Sequence, residues 1–202
     1  MERIECEFGC MGGECLAETC EPMDWSLAVV PADVGFASKM DHLADADGGD
    51  HVVFVADGDG SVHYIQRMAG GTGWFDSVVD VPSEARNKDP AIALDSEGRP
   101  QVVFSRWDDE LVHAEVIGGS WVTTTIDDDG INAGIVATST DELHVVFART
   151  GGIRHARRAP AATTWTVETL RRTRDSFTSN LSGDAPTLVI DGDDRVHMAF
   201  ID

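Results

Sequence analysis

The chain has 202 residues, with 15 Lys and Arg against 36 Asp and Glu for a formal net charge of -21. A surface of that sign repels phosphate backbones and anionic lipid, which argues against nucleic acid as a partner. No apolar run approaches the roughly 18 residues of a membrane-spanning helix, so membrane insertion by that route is not expected.

Residues 1–24 read as a separate segment. Its cysteines, Cys6, Cys10, Cys15 and Cys20, are the only four in the chain, and Gly9, Gly12 and Gly13 lie among them. So short a segment cannot bury a core of its own, and two disulfides are the expected way to order it, with three connectivities open. A four-thiolate zinc site would favour paired C-x2-C hooks, which the spacing lacks. Oxidised cysteines place the protein outside the cytoplasm: extracellular, periplasmic or at the cell surface. Met1 to Glu5 has neither the basic start nor the apolar core of an export signal, so a leader is expected to lie outside these residues.

Residues 25–202 repeat one phrase. The quartets His51-Val52-Val53-Phe54, Gln101-Val102-Val103-Phe104, His144-Val145-Val146-Phe147 and His197-Met198-Ala199-Phe200 place Phe at spacings of 50, 43 and 53. Trp25, Trp74, Trp121 and Trp165 keep the same order at spacings of 49, 47 and 44. A period in the forties is that of propeller blades. Within one unit, Pro90 to Asp95 reads as a strand, Ser96 to Arg99 as a turn, Gln101 to Arg106 as the return strand, Leu111 to Ile117 as a third and Trp121 to Ile126 as a fourth.

The fold class expected is therefore all-β, a propeller region of four-stranded antiparallel meanders. Blades are expected at about 40–79, 90–126 and 132–170, with a partial blade over 185–202 and a stray outer strand over 25–30. A half-blade at the end of the chain would leave an open edge, and self-association is the expected consequence.

The phrase Ala91-Ile92-Ala93-Leu94-Asp95-Ser96-Glu97-Gly98-Arg99-Pro100-Gln101-Val102-Val103-Phe104 resembles the blades of secreted bacterial repeat propellers of the sialidase-like kind. The resemblance spans residues 25–202 and implies architecture. The Asp-box of true sialidases, Ser-x-Asp-x-Gly-x-x-Trp, is not matched.

Histidines fall in two columns, His51, His144 and His197 opening the second strand and His63, His113 and His155 in the third. The single tyrosine, Tyr64, is the only candidate for a sialidase-type nucleophile; aligned on those columns, its equivalents are Ala114 and Ala156, which points to packing. No catalytic residue is assigned. Asp45, Asp47 and Asp50 form the best candidate calcium loop, and no other cofactor is expected, although Asp and Gly are also ordinary turn residues. Seven of the fifteen basic residues, Arg149, Arg154, Arg157, Arg158, Arg171, Arg172 and Arg174, lie within 26 positions. They either neutralise acids of neighbouring blades or form an anion-binding face. The functional expectation is a non-catalytic extracellular binding or scaffold module for a glycan or protein ligand. The alternative is a sialidase-like glycoside hydrolase whose catalytic groups lie mostly outside these residues.

Overall fold

The computed structural model describes residues 10–11, 14–15, 37–82, 87–172 and 186–200. The chain divides into two units, Met1–Pro31 and Ala32–Asp202. In the first, β1 (Cys10–Met11) and β2 (Glu14–Cys15) pair antiparallel with Cys10 opposite Cys15. Cys6, Cys20 and the expected strand over 25–30 lie outside the described residues.

The second unit is built from propeller blades. Each of its three complete sheets is an antiparallel meander: β3 (Ala37–Ala44) to β6 (Phe75–Asp80), β7 (Lys88–Leu94) to β10 (Ser120–Asp127), and β11 (Ile131–Ala137) to β14 (Thr166–Arg172). A two-stranded sheet of β15 (Thr187–Ile190) and β16 (Val196–Ala199) follows. The second strands β4 (Asp50–Ala56), β8 (Pro100–Ser105) and β12 (Leu143–Arg149) carry the Val-Val-Phe runs. Buried on both faces, these runs have no need of hydrophobic alternation. The third strands are β5 (Val62–Arg67), β9 (Leu111–Ile117) and β13 (Gly152–Arg158).

Three apolar layers fill the junctions between successive sheets. Val53, Val55 and Val62 of the first sheet meet Ile92, Val102 and Phe104 of the second. Val103, Leu111 and Ile126 of the second meet Val145, Phe147 and Ala156 of the third. Val146, Ala148 and Ile153 of the third meet Leu188 of β15. The first strands of successive sheets adjoin. Ile92 N donates to Asp41 Oδ2 at 3.0 Å, and Lys39 pairs with Asp89. A Cβ on Gly134 would come within 2.8 Å of Leu188 Cδ2, so this glycine lets β15 approach β11.

The turns between first and second strands follow one rule. The Oδ1 of Asp45 accepts from the N–H groups of Asp47 and Gly49 at 3.0 and 2.7 Å, and Asp95 and Asp191 repeat this with their own turns. An acceptor at this position satisfies amides that the ladder leaves free. The fourth residue of each turn is left-handed: Gly48, Gly98, Asp141 and Asp194, at φ 87, 76, 66 and 60°. The two aspartates there also reach the preceding sheet. Asp141 accepts from Ser96 N and Oγ at 2.7 and 3.0 Å, and Asp194 accepts likewise from Ser139.

Candidate ligand grooves between adjacent sheets

The register corrects the expected column alignment by one residue. Val53 pairs with Tyr64, Val103 with His113 and Val146 with His155. Tyr64 therefore corresponds to His113 and His155 rather than to Ala114 and Ala156, and His63 stands outside their column. Sequence alignment on histidines slipped because cross-strand pairing, not residue type, fixes which face a side chain takes.

This column completes a polar chain in each sheet. Asp45 Oδ2 accepts from His51 Nε2 at 3.1 Å, and His51 Nδ1 lies 2.6 Å from the Tyr64 hydroxyl. The Gly49 N–H and His51 hold the Asp45 carboxyl below its usual range. In the second sheet Gln101 Nε2 donates to Asp95 Oδ2 at 3.3 Å and Gln101 Oε1 accepts from His113 Nε2 at 2.9 Å. Burial, with the Arg158 charge adding to it, depresses the His113 imidazole to about 3. In the third sheet Thr138 replaces the turn aspartate, and the acid moves to the fourth strand. His144 Nδ1 lies 3.0 Å from His155 Nε2, and His155 Nδ1 is 2.9 Å from Glu168 Oε1.

The tryptophans at the start of the second and third sheets' fourth strands pack on the preceding sheet's column, whereas Trp74 lies beside Arg67 of its own sheet. Trp121 meets Tyr64 edge-on at 5.6 Å, and Trp165 meets His113 at 5.3 Å. Between the first and second sheets this leaves an open groove of about 680 Å³, lined by Tyr64, Gln66, Ser77, Arg99, Ser120 and Trp121 among others. Trp121 Nε1 donates to Ser77 Oγ at 3.1 Å. Arg99, the one charged lining residue, is engaged by Asp95 at 2.8 Å and Glu97 at 2.9 Å. The groove thus presents an aromatic wall beside hydroxyl, amide and compensated guanidinium groups.

The residues singled out for chemistry in the sequence lie elsewhere. Asp45 serves its turn and His51, while Asp50 binds Arg67 and His42, so the expected calcium loop splits between two sets of partners. Among the described residues no group of three His, Cys, Asp or Glu could hold a metal ion. The arginines likewise do not form one anion-binding face. Strand alternation separates them on β13, with Arg154 and Arg158 toward the second sheet and Arg157 toward Glu142 on the opposite face. Arg149 and Arg154 share Asp127 at 3.3 and 3.4 Å, and a small cavity of about 210 Å³ lies between them. Arg171 stands opposite Ile153 and Arg172 opposite Gly152 in the backbone register, and Arg174 lies outside the described residues.

No protein-family model matches the chain, and no curated protein does. Solved structures do. An Aleuria aurantia lectin in complex with Fucα1-6GlcNAc superposes with a TM-score of 0.56 at 13% identity, over 84% of this chain and 56% of its own. The Hadza microbial sialidase Hz136 gives 0.53 at 12% identity, over 77% and 40%. A bifunctional GH43-CE protein of Bacteroides eggerthii gives 0.51 at 10% identity, over 80% and 22%. The chain therefore spans between about a fifth and just over half the length of these proteins. At such identities the likeness is one of fold, and the β-propeller architecture is common to proteins that bind carbohydrate and proteins that cleave it.

Proposed function

We infer that the chain is the propeller part of a non-catalytic, carbohydrate-binding module acting outside the cytoplasm, and that it binds a neutral glycan in the groove between the first and second sheets. The observation that carries this reading is the groove's lining. A sugar ring stacks its apolar C–H face on an aromatic side chain while its hydroxyls take hydrogen bonds, and Trp121 with Gln66, Ser77 and Ser120 supplies both. With Arg99 already paired to two carboxylates, the lining offers no free charge for an acidic sugar. That a lectin solved with Fucα1-6GlcNAc is among the fold neighbours supports carbohydrate as the ligand class.

The hydrolase alternative has one observation in its favour, the Asp45–His51–Tyr64 chain, which has the form of an activated nucleophile. Two facts favour a packing role. Burial pushes the Tyr64 hydroxyl well above its ordinary value, away from the phenolate a nucleophile needs. The second sheet repeats the same chain with Gln101 and His113, where no nucleophile exists.

A glycan array probed with the intact protein and with Trp121→Ala tests the reading. Binding to neutral, non-sialylated glycans is expected, with at least about a tenfold loss of affinity in the variant. No binding to any neutral glycan, or binding indifferent to Trp121, would overturn it. Cleavage of a chromogenic sialoside would restore the hydrolase.

A further inference from the structure

The junctions between the first and second and between the second and third sheets are built on the same columns, and two positions decide whether each stands open. Gln66 of β5 and Glu115 of β9 are equivalent, paired with His51 and Gln101. Val116 of β9 and Arg158 of β13 are equivalent as well, each opposite its fourth-strand tryptophan's position. Where Gln66 and Val116 occupy these places, the groove of about 680 Å³ is open along Trp121.

Where Glu115 and Arg158 occupy them, the groove is filled by protein. The Arg158 guanidinium holds Glu115 through two bonds of 2.6 and 3.0 Å. It also lies over the Trp165 ring with its Cζ 5.4 Å from the centroid, and its side chain is only 10% exposed. The tryptophan face that lines the first groove is covered by a cation in the second.

At this closed junction three buried polar atoms, His113 Nδ1, Thr124 Oγ1 and Trp165 Nε1, have no partner among the described residues. His113 is fully buried, and its Nε2–H is directed to Gln101 Oε1, which leaves Nδ1 as an acceptor. Trp165 Nε1 is a donor, and the Thr124 hydroxyl can act as either. In the open groove the corresponding atoms are satisfied, Trp121 Nε1 by Ser77 and the Tyr64 hydroxyl by His51. The closed junction thus has a donor, an acceptor and a hydroxyl available to complementary hydroxyl groups.

We propose that the junction of the second and third sheets is a second site for a neutral, multiply hydroxylated ligand, held shut by the Glu115–Arg158 pair, and that the residues at these two positions determine which groove is occupied. This rests on the glycan-binding reading of the first groove. The lid excludes a ligand by occupying the aromatic face, and a neutral ligand entering there must break a bidentate charge-assisted pair whose guanidinium is largely buried.

Exchanging the two pairs tests it. Glu115→Gln with Arg158→Val gives the second junction the residues of the first, and Gln66→Glu with Val116→Arg does the reverse. Acrylamide quenching of tryptophan fluorescence reads the lid without any ligand. Quenching is expected to rise in the opened variant and to fall in the closed one. Calorimetry with a panel of methyl glycosides of neutral hexoses reads the site. The opened variant is expected to bind about two per chain instead of about one, and the closed variant none. The reverse exchange adds a pair to a solvent-facing groove, so it remains a test should the opened variant fail to fold. Quenching unchanged in a folded exchange variant would overturn the lid. Raised quenching without a second binding event, while wild type binds, would overturn the second site. A wild type that binds no glycoside would instead refute the reading of the first groove, with the quenching exchange still deciding the lid.

Discussion

Replacing Asp95 by Ala is expected to cost about 3 kcal/mol, because one carboxylate holds both a turn and the buried chain behind it. Asp95 Oδ1 accepts from Glu97 N and Arg99 N at 3.0 and 2.9 Å, and Oδ2 takes Arg99 Nε at 2.8 Å and Gln101 Nε2 at 3.3 Å. Glu97 and Arg99 are exposed, so water can replace what the turn loses, at about 1 kcal/mol. Gln101 is 5% exposed and already engaged with His113, so its freed amide stays buried without an acceptor, at about 1–3 kcal/mol. For a domain of this size the sum corresponds to a fall in melting midpoint of about 10 °C. Urea unfolding with an unchanged slope, together with thermal melting, measures it. Asp191→Ala is the control. It occupies the same turn, but its partners Arg195 and His197 have side chains 68% and 58% exposed, and a much smaller loss is expected. A loss below about 1 kcal/mol for Asp95→Ala, or equal losses for the two variants, would refute the claim that the buried chain carries the larger share.

Two further outcomes follow from the same elements. His113 binds its proton near pH 3 when folded and near 6.5 when unfolded, so between those values the unfolded chain holds the extra proton. Its contribution is complete above pH 6.5 and falls as pH drops, by at most about 1.4 kcal/mol per unit, and His113→Gln should flatten urea stability measured between pH 6 and 4.5; equal slopes would count against the buried neutral imidazole. At Asp141, with φ 66°, Ala and Gly both lose the Ser96 contact but only Ala keeps the left-handed strain. Asp141→Ala should therefore be less stable than Asp141→Gly by about 1 kcal/mol in the same assay, and equal stabilities would show that Ser96 alone makes this position matter.

The blades were readable from sequence because their signals are local. Val-Val-Phe runs bounded by Asp-x-x-Gly turns specify a strand, a tight turn and a strand wherever they occur, and the structure places β7 and β8 within two residues of that expectation. Residue facing was not readable. The turn between second and third strands changes length from sheet to sheet, so that Val53 pairs with Tyr64, Val103 with His113 and Val146 with His155 at a different separation each time, and the histidine columns, lined up by residue type, slipped by one position. Of the two readings of the arginine cluster, pairing with acids of a neighbouring blade holds for Arg149, Arg154 and Arg158, which meet Asp127 and Glu115 of the preceding sheet. Proximity in sequence placed Arg157 beside Arg158, while strand alternation sent one toward Glu142 and the other toward Glu115 of the preceding sheet.

The grooves were hidden because each is made of residues contributed by two repeats. Tyr64 and Ser77 form one wall and Trp121 the other, so no window shorter than a full period contains a groove. The tryptophans were nonetheless visible as period markers, and two of them share a structural role: Trp121 and Trp165 each cover the third-strand column of the sheet before. On the glycan-binding proposal, such a packing residue serves as a ligand platform where its neighbours leave it uncovered. In this chain that depends on the residue opposite the tryptophan. Val116 leaves Trp121 accessible along the groove, and Arg158, anchored by Glu115, closes over Trp165. On the glycan-binding proposal, the repeat supplies the same scaffold at both junctions between the complete sheets, and its departures from exact repetition determine which is open.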